Sequence, residues 1–155
     1  VSLYTSRALE KLRAQKSTAQ AIQVFVQTNR FTDPNHYHFQ SIIELPIPSQ
    51  DTRDFLKAAL SGLEKLYDPK LQYKKAGVIL TKITDQTTNQ FDFFSEPNHK
   101  TTKLMQLLDN LNAKMGRGTL QFGSEGVQQT WAMRALSRSP NYTTQWPELL
   151  KVKAI

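Results

Sequence analysis

Lys74 and Lys75 stand side by side in an alternating apolar segment, and Lys82 follows in the same segment. Ammonium groups so placed can neutralise phosphates and release condensed counterions; they can equally be solvated lysines at a sheet edge. Gln23 and Gln27 share one side of another alternating segment and offer amides to a sugar-phosphate chain or to water. His36 and His38 have the i, i+2 spacing that sets two imidazoles on one strand face, a zinc geometry when further ligands converge. The sequence suggests no third ligand, which favours solvent-exposed or backbone-near histidines. Three phenylalanines in Gln90-Phe91-Asp92-Phe93-Phe94 lie in a polar stretch without a local core, so they must dock on this protein or on another. Gly116-Arg117-Gly118 reads as a turn after a helix, far short of a phosphate-binding loop.

Composition narrows the chemistry. There is no cysteine, which excludes disulfides, thiol catalysis and cysteine-based zinc sites and makes a reducing cytoplasm the simplest compartment. Acidic residues are dispersed, with no cluster at a predicted strand end to hold two metal ions for phosphoryl transfer. The formal charge of +7 and pI of about 9.7 favour polyanionic partners. The basic excess is spread along the chain rather than gathered in a tail. No apolar run is long enough for a membrane span and no signal-peptide pattern opens the chain. With 39% hydrophobic residues in 155, one ordinary core or two small ones can form.

The elements that must position these residues follow from periodicity. Ser6 to Arg13 is amphipathic at helical spacing, with Ala8 and Leu12 one turn apart. The absence of a cap before it, with Val1 and Leu3 already apolar, suggests that a preceding segment of the native protein is missing. From Ala19 to Asn29 the period is two, with Ile22, Val24 and Val26 opposite Ala21, Gln23, Phe25 and Gln27. Thr32-Asp33-Pro34-Asn35 supplies a turn. The next strand, His36 to Leu45, sets Tyr37, Phe39, Ile43 and Leu45 against His36, His38, Gln40 and Glu44, and Pro46 and Pro48 should close it. Asp51 caps a helix bearing Leu56, Ala59, Leu60, Leu63 and Leu66, ending near Asp68-Pro69. A third strand, Gln72 to Thr84, opposes Ala76, Val78 and Leu80 to Lys75, Gly77, Ile79 and Thr81.

The order helix, strand, strand, helix, strand fits an α+β fold of the split β-α-β-β-α-β type with its first strand upstream. Both helices cover one face of the sheet, and the other stays open, holding amides, hydroxyls and lysines rather than a second hydrophobic layer. Residues 85–100 read as a linker. A small α+β module over 101–155 then starts with a helix whose stripe is Leu104, Leu107, Leu108, Leu111 and Met115, stopped by Gly116. Thr119 to Phe122 should be a short strand, followed by a turn over Gly123 to Gly126. Gln128 to Arg134 is ambiguous between helix and strand. The tail through Pro140, Tyr142, Trp146 and Leu149 reads as an ordered extension, with Trp131, Tyr142 and Trp146 as packing residues.

Several stretches resemble the C-terminal part of UmuC-type proteins, the Y-family translesion polymerases of bacterial DNA polymerase V. They are RALEKLR (Arg7 to Arg13), QDTRD (Gln50 to Asp54), YKKAGV (Tyr73 to Val78), LNAKMGRGTL (Leu111 to Leu120) and SPNYTT (Ser139 to Thr144). The last two look like the extension that distinguishes this type from other Y-family members, and the resemblance covers essentially the whole chain. It implies that residues 1–84 are a little finger domain whose open sheet face holds template-primer DNA, with Lys74 and Lys75 in the place of the family's basic pair and Lys82, Gln23 and Gln27 as further contacts. It implies that the palm with its Mg-binding carboxylates lies outside these residues, so the chain by itself is no enzyme and needs no cofactor.

Gln90 to Phe94 resembles a sliding-clamp-binding motif, in which Gln90 reaches the pocket rim and Phe93 and Phe94 fill a hydrophobic cleft. Phe91 and Phe93 replace the commoner leucines. The extension, 101–155, would help dock a UmuD-derived accessory subunit and bear on a recombinase filament, in a cytoplasmic, nucleoid-associated setting during SOS repair. Two other readings stand beside this one. A free-standing RNA- or single-strand-binding domain would want more stacking aromatics than Phe25 on the open face. A protein-interaction module with incidental basic charge would show no salt-dependent DNA binding.

Overall fold

The computed structural model describes residues 1–31, 36–86, 99–127, 139–143, 146–149 and 152. The predicted turn at 32–35, the phenylalanine peptide at 90–94, and Trp131 lie outside them. Helix α1 (Ser2–Ala14) leads into strand β1 (Ser17–Thr28), β2 (His38–Ser49), helix α2 (Thr52–Leu66), β3 (Tyr73–Asp85) and helix α3 (His99–Met115). Two 3-10 turns follow, at Gly123–Glu125 and Trp146–Glu148. The fold is α+β as expected: a three-stranded antiparallel sheet in the order β2-β1-β3, with helices α1 and α2 on one face. No helix among the described residues is long and apolar enough to cross a membrane.

The core forms where the helices meet the central strand. Leu9 and Leu12 of α1 and Phe55, Ala58 and Ala59 of α2 close over Ala19, Ile22 and Val24 of β1. Ile43 and Leu45 from β2, with Val78 and Leu80 from β3, complete it from the sides, as the alternation of all three strands requires. Gly62 permits the close approach of α2 to the sheet, because a Cβ there would lie 2.3 Å from Ile43 Cδ1.

The buried stripe of α1 is Ser2, Thr5, Leu9 and Leu12, rotated from the expected Ala8 and Leu12. The polar Thr5 enters the core because its hydroxyl donates to the Val1 carbonyl at 3.2 Å, which satisfies a group that would otherwise be costly to bury. Lys11 and Arg13 in the last turn complement the helix dipole. Asp51 caps α2 as read from the sequence, accepting from the Arg53 amide at 2.9 Å. Its carboxylate also takes the Arg53 guanidinium at 2.8 Å.

Three local expectations need correction. Pro46 and Pro48 do not close β2, which runs on to Ser49. The strand is at the sheet's edge, and its pairing with β1 is irregular between the Ala21↔Glu44 and Ala19↔Ser49 partners, so two residues without N–H groups can sit there. Thr119 to Phe122 is not a strand: the Asn112 side chain satisfies Leu120 in place of a ladder, accepting from its N–H at 2.9 Å and donating to its carbonyl at 2.8 Å. Trp146 does not pack. It is 85% exposed, carried by a 3-10 turn closed by the Leu149 amide on the Trp146 carbonyl. Tyr142 and Leu149 are exposed as well. The end of α3 at Gly116 (φ 107°) is where the sequence puts it.

Candidate nucleic-acid interface

The uncovered face of the sheet is built from four cross-strand rows. Reading from β2 through β1 to β3, they are His38-Gln27-Lys75, Gln40-Phe25-Gly77, Ile42-Gln23-Ile79 and Glu44-Ala21-Thr81. Successive rows on one face are two residues apart, so the face is roughly 20 Å long at ~3.3 Å per residue. Backbone alternation alone projects these side chains away from the helices.

Lys75 and Gln27 are neighbours in one row, with His38 beyond. The Gln27 amide nitrogen is 3.5 Å from the His36 ring Nε2. Gln23 donates to the Gln40 side chain at 2.8 Å, which fixes two amides side by side. The Phe25 ring lies over Gly77, where a Cβ would come within 2.4 Å of its tip. It also stacks on His38, with centroids 5.9 Å apart. The two histidines are therefore engaged with Gln27 and Phe25, and among the described residues no group of three possible metal ligands converges.

The lysines of the sequence reading do not form one patch. By strand alternation Lys75 belongs to the open face, whereas Lys74 falls on the register of Ala76, Val78 and Leu80, which face the helices. Lys74 stays exposed because it sits near the start of β3. Lys82 shares that inner register but has a left-handed φ of 53°, and its ammonium pairs with Glu44 of the open face at 2.7 Å. Gln23, Gln27, Lys75 and Lys82 are thus brought to one surface, and Lys74 stands apart from it.

The open face is more apolar than expected. Ile42 and Ile79, which flank Gln23, are 59% and 47% exposed, so amides and lysines do not fill it alone. The signal was present in the Ile42-Ile43 pair, since alternation must turn one of two adjacent residues outward.

On the helix side a second set of polar contacts fixes α3. The Arg13 guanidinium, 7% exposed, makes a two-pronged bond to Asp109 at 2.6 and 2.7 Å. It also donates to the Gln50 carbonyl and the Thr52 hydroxyl at 3.0 and 2.9 Å. Ser6 donates to Glu125 at 2.8 Å, and Arg53 to Thr101 at 3.2 Å. A cleft of about 170 Å³ lies between α1 and this segment, lined by Arg7, Glu10, Leu108 and Phe122 among others. Sequence reasoning missed Arg13 because a lone arginine late in an amphipathic helix carries no mark of its distant partners.

Comparison with known proteins places this architecture. Residues 1–93 match the impB/mucB/samB family C-terminal domain, and residues 102–152 match a domain of unknown function, DUF4113. The chain is 40% identical to protein UmuC of Salmonella typhimurium over 97% of its own length and 36% of that protein. Identity to protein SamB of Salmonella typhimurium is 35%, over 99% of the chain and 37% of the relative. For protein MucB of Escherichia coli it is 32%, over 94% and 35%. The chain thus spans little more than a third of the length of these relatives. With a family match over more than half of its residues and UmuC-like sequence along nearly all of them, the chain belongs to the impB/mucB/samB family, in its C-terminal region.

Proposed function

We propose that these residues form the non-catalytic C-terminal region of an error-prone, Y-family translesion DNA polymerase, gripping template-primer DNA for a palm that lies elsewhere in the parent protein. The observation that carries the reading is the open sheet face with Lys75, Gln27, Gln23 and Lys82 on one surface, in a chain of formal charge +7. Three strands at ~4.8 Å spacing with their side chains match a DNA major groove about 12 Å wide. The amides and ammonium groups would take phosphate and sugar oxygens, contacts that position a duplex without reading its sequence. Tolerance of damaged template requires such indifference.

On the same reading Gln90, Phe91, Asp92, Phe93 and Phe94 bind a sliding clamp, with Phe93 and Phe94 as buried anchors. Tethering would raise the local concentration of the enzyme at the primer terminus. Residues 101–155 would serve the UmuD-derived accessory subunit and the recombinase filament in SOS repair.

The test is duplex binding by the intact chain at two salt concentrations. Lys75→Ala is expected to weaken binding across all sequences and to lower the slope of log affinity against log salt by about 1. Lys74→Ala should do distinctly less. Equal effects from the two lysines, or a slope that neither changes, would remove the sheet face from the contact. In parallel, Phe93→Ala/Phe94→Ala should abolish binding to a bacterial sliding clamp while leaving duplex binding intact.

The exposed Ile42 and Ile79 favour one second reading, that the sheet face docks a protein. Salt-independent complex formation and no duplex affinity would select it. Single-strand stacking gains no support, since Phe25 is already seated between Gly77 and His38.

A further inference from the structure

Helix α3 is held to the body by the Arg53–Thr101 and Arg13–Asp109 bonds, and Met105, on the same side of the helix, is fully buried. This leaves the apolar stripe read from the sequence largely turned outward. Leu104, Leu107 and Met115 are 45%, 57% and 66% exposed, and Leu111 between them is half-buried. At 100° per residue the four lie within an arc of roughly 80°, and from Leu104 to Met115 they extend about 16 Å. Single exposed apolar residues are ordinary on a protein surface, but a contiguous row on one helix face marks a contact surface.

The charges beside the row say what would cover it. Lys103 and Lys114, both exposed, border the stripe on the side away from Met105. The single acidic residue of α3, Asp109, faces the other way and is held by Arg13. The stripe is therefore apolar with a basic border. A second copy of this chain would bring its own Lys103 and Lys114 against the same border, an unfavourable juxtaposition.

We propose that the outer face of α3 docks an amphipathic helix from another protein, with apolar residues at i, i+3 or i+4 and i+7 bordered by glutamates or aspartates. Helix pairing of this kind uses a short row of anchors for affinity and the flanking charges for partner choice. The proposal does not rest on the DNA reading, since α3 packs against the helices and not on the open sheet.

The test titrates the intact chain with two synthetic helical peptides that share one leucine pattern, one flanked by glutamates and the other by lysines. The glutamate peptide is expected to bind saturably and to shift the amide resonances of residues 103–117, and the lysine peptide is expected not to bind. Leu107→Glu and Met115→Glu should each weaken binding at least tenfold with an unchanged Tm. Lys103→Glu/Lys114→Glu should reverse the preference between the peptides.

Binding of neither peptide, or resonance shifts confined to the sheet, would overturn the proposal. So would a dimer in sedimentation that Leu107→Glu dissolves, which would make the occupant a second copy. A fall in Tm in Leu107→Glu would show that the chain's own residues cover the face, with the same consequence.

Discussion

Lys82 holds its ammonium 2.7 Å from the Glu44 carboxylate, and both side chains are about half exposed. Such a pair contributes about 0–1 kcal/mol to stability, so it is more informative about binding than about folding. If the open face takes phosphates, each one must compete with Glu44 for Lys82. Glu44→Gln is therefore expected to raise duplex affinity two- to fivefold near 0.1 M salt, with a stability change of no more than about 0.5 kcal/mol. The gain should largely vanish in a Lys82→Ala background, because the competition needs both partners. An equal gain with and without Lys82 would mean that Glu44 acts only as a general negative charge. Neither the pair nor the left-handed φ of Lys82 was legible in the sequence, where Glu44 and Lys82 are 38 positions apart. Lys75 opposite Gln27 was half legible: alternation gave the faces, and the register between strands had to come from the fold.

At the scale of elements, α3 is tied to α1 and to the start of α2 by two guanidinium groups, of which that of Arg13 is the buried one. Removing one member of a buried ion pair costs about 3–5 kcal/mol when both are fully buried. Asp109 is a quarter exposed and Arg13 keeps two further acceptors, so Asp109→Ala should cost about 2–3 kcal/mol. Amide exchange should then quicken in residues 99–115 while β1 and α2 keep their protection. Uniform loss of protection would show that α3 is no separate unit. The three strands and α2 were readable because each has one periodic apolar face and α2 also has the Asp51 cap. Thr119 to Phe122 was misread because four alternating residues carry no trace of the Asn112 amide that occupies the Leu120 backbone. The apolar stripe of α3 was legible, but the side on which the helix packs was not. Its leucines dominate by number, yet the direction of packing is set by Arg13 and Arg53, which hold Asp109 and Thr101.

The whole molecule sets its two proposed surfaces apart. The sheet's open face points one way, while α3 rides on the helices, so the proposed DNA and partner surfaces need not exclude each other. A duplex and the glutamate-flanked peptide are accordingly expected to bind together, with neither affinity changed more than twofold. Strict competition between them would place both ligands on one surface. The fold class was legible from the order of elements, and family membership from the stretches that resemble UmuC-type proteins. The apolar centre of the open face was half legible: alternation set Ile79 on the open side, while Ile42 was assigned to neither side of its strand.

The most direct test of the central claim maps the backbone amide resonances of the intact chain during titration with primed duplex DNA. The account predicts that shifts concentrate at Gln23, Gln27, Ile42, Lys75, Ile79 and Lys82, fade as salt is raised, and leave α2 and α3 unmoved. Shifts confined to the helices, or no shifts even at low salt, would contradict it.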